Sequence, residues 1–225
     1  MSQGRIRLSS CVLAGLALAG CSVNLSAEKL VRREEQRFTV SGRPEILLKT
    51  FDGAIRVESW DRPEVLVTIE RQAGDEHSLK SIEVKSDQQG NRISVEVLKP
   101  EQKGTIDIGM HVGRSAALIV SVPRDADVSA RSGDGAIVVR ATDGSAAAAD
   151  WDLETGDGGV TVGLPAAFGA ELDARSNDGR VTVNGFEMTG ATRDDENREV
   201  KGRIGSGGSR LTIRTGDGGI TVARN

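Results

Sequence analysis

One motif occurs five times in this chain and restricts its fold more than any other feature. Its form is apolar-x-apolar-x-[Ser/Thr]-x-Asp-Gly-x-[Ile/Val]-x-Val, with Asp-Gly pairs at Asp52-Gly53, Asp134-Gly135, Asp157-Gly158, Asp178-Gly179 and Asp217-Gly218. Three residues after each Asp comes Ile55, Ile137, Val160, Val181 or Ile220, and five after comes Val57, Val139, Val162, Val183 or Val222. Two residues before each Asp stands Thr50, Ser132, Thr155, Ser176 or Thr215. Alternation of this kind puts every second side chain on one face of a strand. Its recurrence marks a repeat architecture made of strands.

The inward pairs before the turns are then Ile46/Leu48, Val128/Ala130, Trp151/Leu153, Leu172/Ala174 and Leu211/Ile213. Outward positions after the turns carry Arg56, Thr161, Thr182 and Thr221, which suit an exposed β face. By parity the Ser or Thr before each turn also faces inward, where its hydroxyl can satisfy a backbone group at the corner. Gly is expected at the turn because it accepts positive φ, and Asp because it tolerates left-handed geometry and bonds nearby backbone.

Two architectures fit. One is a β-solenoid, its coils stacked in chain order with Asp-Gly at a corner. The other is a hairpin meander folded into a sandwich, since Asp-Gly between alternating strands is a hairpin signal. Successive Asp residues lie 23 (134 to 157), 21 (157 to 178) and 39 (178 to 217) apart. The last interval spans about two repeats, which predicts a degenerate unit with its turn at Gly205-Ser206-Gly207-Gly208. Small residues and an aromatic content of 3 % favour the solenoid with a narrow interior.

Before the repeats crowd together, the texture is that of antiparallel sheet. Val65–Ile69 alternates, and Ile82–Val84 and Ile93–Val97 bracket a hairpin turn at Gln88-Gln89-Gly90-Asn91. Leu118–Val122 runs into Pro123, which ends a strand. The segment Thr192–Glu199 is dominated by charged residues and predicts a solvated loop.

The first residues are an address. Arg5 and Arg7 precede a short apolar run, Leu8–Gly20, of signal-peptide length and too short to span a bilayer. It ends in Leu18-Ala19-Gly20-Cys21, a sequence that resembles the bacterial lipobox, in which the Cys is lipidated and becomes the mature N-terminus. Ser22 after the Cys leans towards the outer membrane in a Gram-negative cell. The organisation expected is a lipoprotein signal peptide (1–20), the lipidated Cys21 with a polar tether (21–36) and one β-repeat domain (37–225), with a short amphipathic helix allowed near Ala27–Gln36. Cys11 falls in the leader and Cys21 carries lipid, so no thiol remains for a disulfide. A formal net charge of −4, more negative once Arg5 and Arg7 are removed, argues against nucleic acid as a partner.

The stretches Ser132–Val139, Thr155–Val162 and Gly207–Ile220 resemble the bacterial "putative adhesin" domains of unknown function, which are defined by β-strand repeats. The resemblance covers roughly residues 37 to 225. It implies a right-handed, β-helix-like fold in an envelope or secreted protein, and it implies no established activity or catalytic residues.

Chemistry is sparse. His77 and His111 are isolated, and neither a Gly-x-Ser-x-Gly nor a His-x-x-x-His occurs. The Asp residues have turn roles, and no ligand set with suitable spacing calls for a metal or other cofactor. Lys49, Arg131, Arg175 and Arg214 each lie three residues before an Asp, with Glu154 in the fifth copy. Arg131, Arg175 and Arg214 are therefore candidates for an outward column that binds an anionic glycan or lipid headgroup, or else pairs with neighbouring carboxylates. Trp151 falls on an inward position, and Trp60 falls in a turn. The expectation is a lipid-anchored, non-enzymatic envelope protein presenting a β surface for binding or adhesion to an envelope glycan or protein. The alternatives are a polysaccharide-acting enzyme and a structural or signalling accessory of another envelope protein.

Overall fold

Residues 29–99, 113–144 and 149–225 are described by the structure, a computed structural model. Two open, mixed β-sheets of eight and nine strands enclose one core between them, a sandwich-like all-β arrangement. Each repeat divides at its Asp-Gly. The strand before it, β2 (Glu45–Thr50), β8 (Asp127–Ser132), β10 (Trp151–Thr155), β12 (Ala170–Ser176) or β16 (Ser209–Thr215), joins the nine-stranded sheet. The strand after it, β3 (Ile55–Trp60), β9 (Ile137–Arg140), β11 (Val160–Leu164), β13 (Val181–Asn184) or β17 (Ile220–Arg224), joins the eight-stranded sheet. Asp-Gly is thus the crossing between sheets and not the tip of a hairpin.

Neighbouring repeats pair in parallel and in register, so equivalent residues stand side by side: Trp151 lies between Val128 and Leu211, and Val160 between Ile137 and Ile220. All five inward pairs named above are buried, as are the Ile and Val residues after the turns, except that Val183 on the edge strand β13 is half-buried. Trp151 packs on Phe168 with ring centroids 5.5 Å apart, and its indole N–H donates to the Ala126 carbonyl at 3.2 Å.

The order of repeats in space departs from a solenoid wound in chain order. The nine-stranded sheet runs β14-β15-β12-β16-β10-β8-β2-β6-β5, so the fifth repeat is inserted between the third and the fourth. There is no degenerate unit in the long interval. It holds β14 (Met188–Arg193) and β15 (Glu199–Ile204), antiparallel to each other, with β15 antiparallel to β12. Gly205–Gly208 turns the chain from β15 back over β12 into β16, with positive φ at Gly205, Gly207 and Gly208. Insertion is permitted because every repeat offers the same alternation to its neighbour. Residues 165–169 carry the chain past the position that the last repeat later fills.

The expected solvated loop is also built in. Its backbone covers the last corner: the Asn197 carbonyl accepts from Val181 N–H at 2.7 Å and the Arg198 carbonyl from Ser176 N–H at 2.9 Å. Without these acceptors the outermost repeat would leave its corner donors unpaired. Asn197 takes φ 56° in that turn.

The first half is mixed rather than antiparallel. Parallel partners of β2 and β3 are β6 (Arg92–Val97) and β7 (Ser115–Pro123), respectively. Antiparallel pairs are β1 (Leu30–Thr39) with β4 (Glu64–Ala73), β4 with β7, and β5 (Val84–Gln89) with β6, the last through the expected Gly90-Asn91 turn. From Leu30 onward the segment allowed as a helix belongs to the edge strand β1, so the sheet begins before residue 37; Ala27 and Glu28 lie outside the described residues. A short helix, α1 (Glu76–Lys80), capped by Asp75 through Ser78 N–H at 2.8 Å, buries Leu79 and links the two sheets. Among the described residues no helix is long and apolar enough to cross a membrane.

Candidate functional site

At the corners the repeat residues work on the fold. Each hydroxyl donates to a glycine or alanine carbonyl of the adjacent strand pair: Thr50 to Ala116 at 3.0 Å, Ser132 to Gly53 at 3.0 Å, Thr155 to Gly135 at 2.8 Å, Thr215 to Gly158 at 2.7 Å and Ser176 to Gly218 at 2.8 Å. Four of these buried hydroxyls bind repeat to repeat, and Thr50 binds the first repeat to β7, as their inward parity allowed. The glycines serve a purpose other than the one expected. Of the five Asp-Gly glycines only Gly53 has a positive φ, 139°. The others lie so close to the carbonyl of the next glycine that a methyl group would overlap it: Gly135 on Gly53, Gly158 on Gly135, Gly218 on Gly158 and Gly179 on Gly218. Close backbone approach, not left-handed geometry, excludes a side chain here.

The five Asp side chains line the same rim. Burial, and then the charge of Asp134 in the next repeat, raise the Asp52 pKa. A carboxyl whose folded pKa lies above its unfolded value of about 3.9 is neutral in both states at low pH and costs stability as pH rises through the folded pKa. Asp52→Asn is therefore expected to raise Tm by on the order of 1–3 °C at pH 7, a gain that vanishes below about pH 4. Thermal melts of both proteins across that range check it; an equal gain at pH 3 would rule out the electrostatic cause. Among the described residues no group of three or more His, Cys, Asp or Glu is placed to hold a metal ion.

Arg131, Arg175 and Arg214 share one row on the outer face of the nine-stranded sheet. Read across the strands, that row is Glu96, Lys49, Arg131, Glu154, Arg214, Arg175 and Glu199. A degenerate unit between the fourth and fifth repeats would have parted Arg175 from Arg214; instead the two stand directly opposite each other, and it is Glu154 that interrupts the row. Arg131 pairs with both Glu154 and Asp152, each at 3.0 Å, and Lys49 with Glu96 at 2.8 Å. Arg214 reaches the Asp173 carboxylate at 2.9 Å and its carbonyl at 2.8 Å. Arg175 is exposed beside the turn at Asp194–Glu199, in a polar depression with Asp194, Glu196 and Arg198. The row is thus a ladder of mixed sign, with two of its three arginines engaged. Exposed pairs of this type contribute under about 1 kcal/mol each.

The outer face of the eight-stranded sheet is different. One row across it reads Thr68, Ile119, Arg56, Val138, Thr161, Thr221 and Thr182, largely uncharged. His77 lies exposed in α1, and Cys11, Cys21 and His111 lie outside the described residues. Trp60, expected in a turn, instead ends strand β3 on the outer face of this sheet, opposite Pro123. The signal was there in outline: Arg56 and Glu58 alternate outward, and Trp60 continues their parity.

Neither a protein-family model nor a curated protein sequence matches this chain. Its fold is found in a solved structure, a "putative cell adhesion protein" from Clostridium sporogenes, at TM-score 0.52 and 14 % identity over 86 % of this chain and 100 % of that one. More distant likenesses are a "putative adhesin" from Bacteroides fragilis (TM-score 0.30, 8 % identity, 85 % of this chain and 97 % of that one) and a "putative lipid binding protein" from Parabacteroides distasonis (TM-score 0.30, 13 % identity, 68 % and 57 %). The likeness to the Clostridium sporogenes structure shows the fold alone.

Proposed function

We propose that this chain is a non-enzymatic, lipid-anchored protein of the cell envelope whose repeats present a rigid β surface for binding or adhesion. One observation carries the reading: the residues the repeat supplies in quantity are absorbed by the fold. Its hydroxyls hold corners together, and Arg131 and Arg214 hold carboxylates on the ladder. What repetition builds is therefore a stiff, broad face and not a reactive centre. The cell-adhesion name borne by the Clostridium sporogenes protein of the same fold supports the reading. The lipobox at Leu18–Cys21 supplies the address, with the outer membrane favoured in a Gram-negative cell. Arg131, Arg175 and Arg214 are the residues on the ladder suited to an anionic envelope glycan or lipid headgroup, Arg175 most directly.

Two measurements test this. Mass spectrometry of the native protein is expected to show a mature N-terminus at an acylated Cys21, and Cys21→Ser to lose membrane association. Cleavage elsewhere, or an unprocessed leader, removes the anchor from the proposal. The full chain in mild detergent is then applied to envelope-glycan and anionic-lipid arrays at low and moderate salt, beside the triple Arg→Gln variant at 131, 175 and 214. Binding weakened in that variant, more so at low salt, assigns the ladder; no binding to any envelope material overturns the adhesion reading.

A further inference from the structure

The connection from β3 to β4 has an unusual path. In the sheet, β7 lies between these two strands. Residues 61–63 therefore pass over the end of β7, where Pro123 stands opposite Trp60 and the chain leaves through Arg124. The crossing leaves a recess of about 310 Å³ lined by Trp60, Pro63, Pro123, Arg62, Arg124 and Asp125, among others. That size lies at the lower end of the range for small-ligand sites, which combine an apolar floor with a few placed polar groups.

Trp60 is half-buried, and its indole N–H is already used, donating to the Glu64 carbonyl at 2.9 Å across the end of β7. The ring is thereby pinned, and what it still offers is its face. The Arg62 guanidinium lies over that face, 4.9 Å from the centroid, from a side chain that is 62 % exposed and able to move aside. Two prolines stiffen the walls. Arg124 is short of acceptors. Its nearest carboxylate, Asp61, stands 3.8 Å away and is itself 84 % exposed, and its buried Nε meets no hydrogen-bond partner. Gly144, at φ +81°, packs against the same guanidinium, 3.1 Å from Nη1 to where a Cβ would stand.

Position adds a second argument. The chain enters β1 at Leu30, which pairs with Ala73 at the far end of β4. The recess lies beside Glu64, at the near end of that ten-residue strand. At about 3.3 Å per residue the recess is roughly 30 Å from the tether-side rim, on the opposite end of the sandwich. A site there faces away from the surface to which a lipidated Cys21 would hold the domain.

We infer that this recess binds a carboxylated sugar unit of a surface glycan: the C–H face of the pyranose stacks on Trp60, the carboxylate pairs with Arg124, and Asp125 accepts a hydroxyl. The patch of C–H bonds on one side of a pyranose chair matches the pinned indole. A carboxylate supplies the paired acceptors that Arg124 lacks and that Asp61, at 3.8 Å, does not. The inference rests on the binding reading above and names a site for it separate from the Arg131–Arg214 ladder.

Isothermal titration of the full chain in mild detergent, with trigalacturonate and 3′-sialyllactose as acidic probes and maltotriose as the neutral one, tests it. At least one acidic probe is expected to bind, roughly tenfold more tightly than maltotriose. Trp60→Ala and Arg124→Gln should each weaken it by about tenfold or more, whereas Trp60→Phe, which keeps a ring without the N–H, should stay within about threefold. Arg124→Gln leaves the Trp60–Glu64 bond in place, so it reports on the site even if Trp60→Ala disturbs the fold. Equal binding by wild type and Arg124→Gln, or no binding of either acidic probe, overturns the site. If the protein still binds envelope glycan on the array while failing both acidic probes, this site falls and the adhesion reading stands.

Discussion

Gly218→Ala is expected to destabilise the protein by roughly 3 kcal/mol, lowering Tm by about 6–12 °C, because added volume in a tight packing site forces backbone shifts. A methyl group on Gly218 would overlap the Gly158 carbonyl, a backbone group that no side-chain rotation can move aside. That same carbonyl accepts from the Thr215 hydroxyl at 2.7 Å, so any shift that relieves the overlap also strains an inter-repeat bond. The control is one residue away. A Cβ on Gly219 would meet nothing nearer than the Arg180 carbonyl at 3.5 Å, an ordinary contact. Gly219→Ala should therefore be neutral or stabilise by up to about 1 kcal/mol, through the narrower unfolded ensemble. Thermal or urea melts of the pair decide the matter. If the two variants melt together, the glycine column is not a close-packed one and the Asp-Gly glycines need another explanation.

That column shows where sequence reading stops. Alternation identified which side chains face inward, and Ile46, Val128, Trp151, Leu172, Leu211 and their partners are buried as parity required. The hydroxyls before each Asp-Gly were legible for the same reason. Alternation sets a face but not a neighbour, however. Since all five repeats carry the same pattern, nothing in a single strand records that β16 settles between β10 and β12. Connections decide it, and the length of the one between Asp178 and Asp217 matches a lost repeat as well as it matches the capping antiparallel pair that it holds. The glycine requirement was misassigned because a sequence cannot distinguish positive φ from close approach, and both select Gly.

Edge strand β1 was missed on physical grounds too. Arg32, Arg33, Glu34 and Glu35 put charge on both of its faces, which erases the period-2 apolar signal. It is held by backbone pairing with β4 and by ion pairs, Arg33 to Glu70 at 2.7 Å and Arg71 to Glu34 at 3.0 Å. Hydrogen bonds from Arg33, and then Gln72, keep the Glu70 pKa low. Charges on an edge also discourage further strands from adding to it. The same logic explains why the candidate sites were only half visible. The Arg131, Arg175 and Arg214 row follows from parity, but its partners Asp152, Glu154 and Asp173 follow from register. Trp60 acquires its setting from a crossing over β7 that no local pattern announces.

Val160→Asp should cost several kcal/mol, enough to leave a domain of ordinary stability largely unfolded at 37 °C. Val160 is 1 % exposed and stands in register between Ile137 and Ile220, both fully buried. Its other surroundings are the apolar inner faces of the two sheets, so a carboxylate there finds neither water nor a counter-charge. The contrast lies at the next residue. Thr161 points outward between Val138 and Thr221, and Thr161→Asp should cost under about 1 kcal/mol, the scale of strand propensity. Acid supplies an independent sign. A buried carboxyl has its pKa raised, and its neutral form costs less to bury, so the Val160→Asp deficit relative to wild type should shrink as pH falls towards 4. Circular-dichroism melts of the three proteins at pH 7 and near pH 4 provide the comparison. Similar losses at 160 and 161, or a deficit indifferent to pH, would contradict an inward-facing, water-free position at the heart of the repeat.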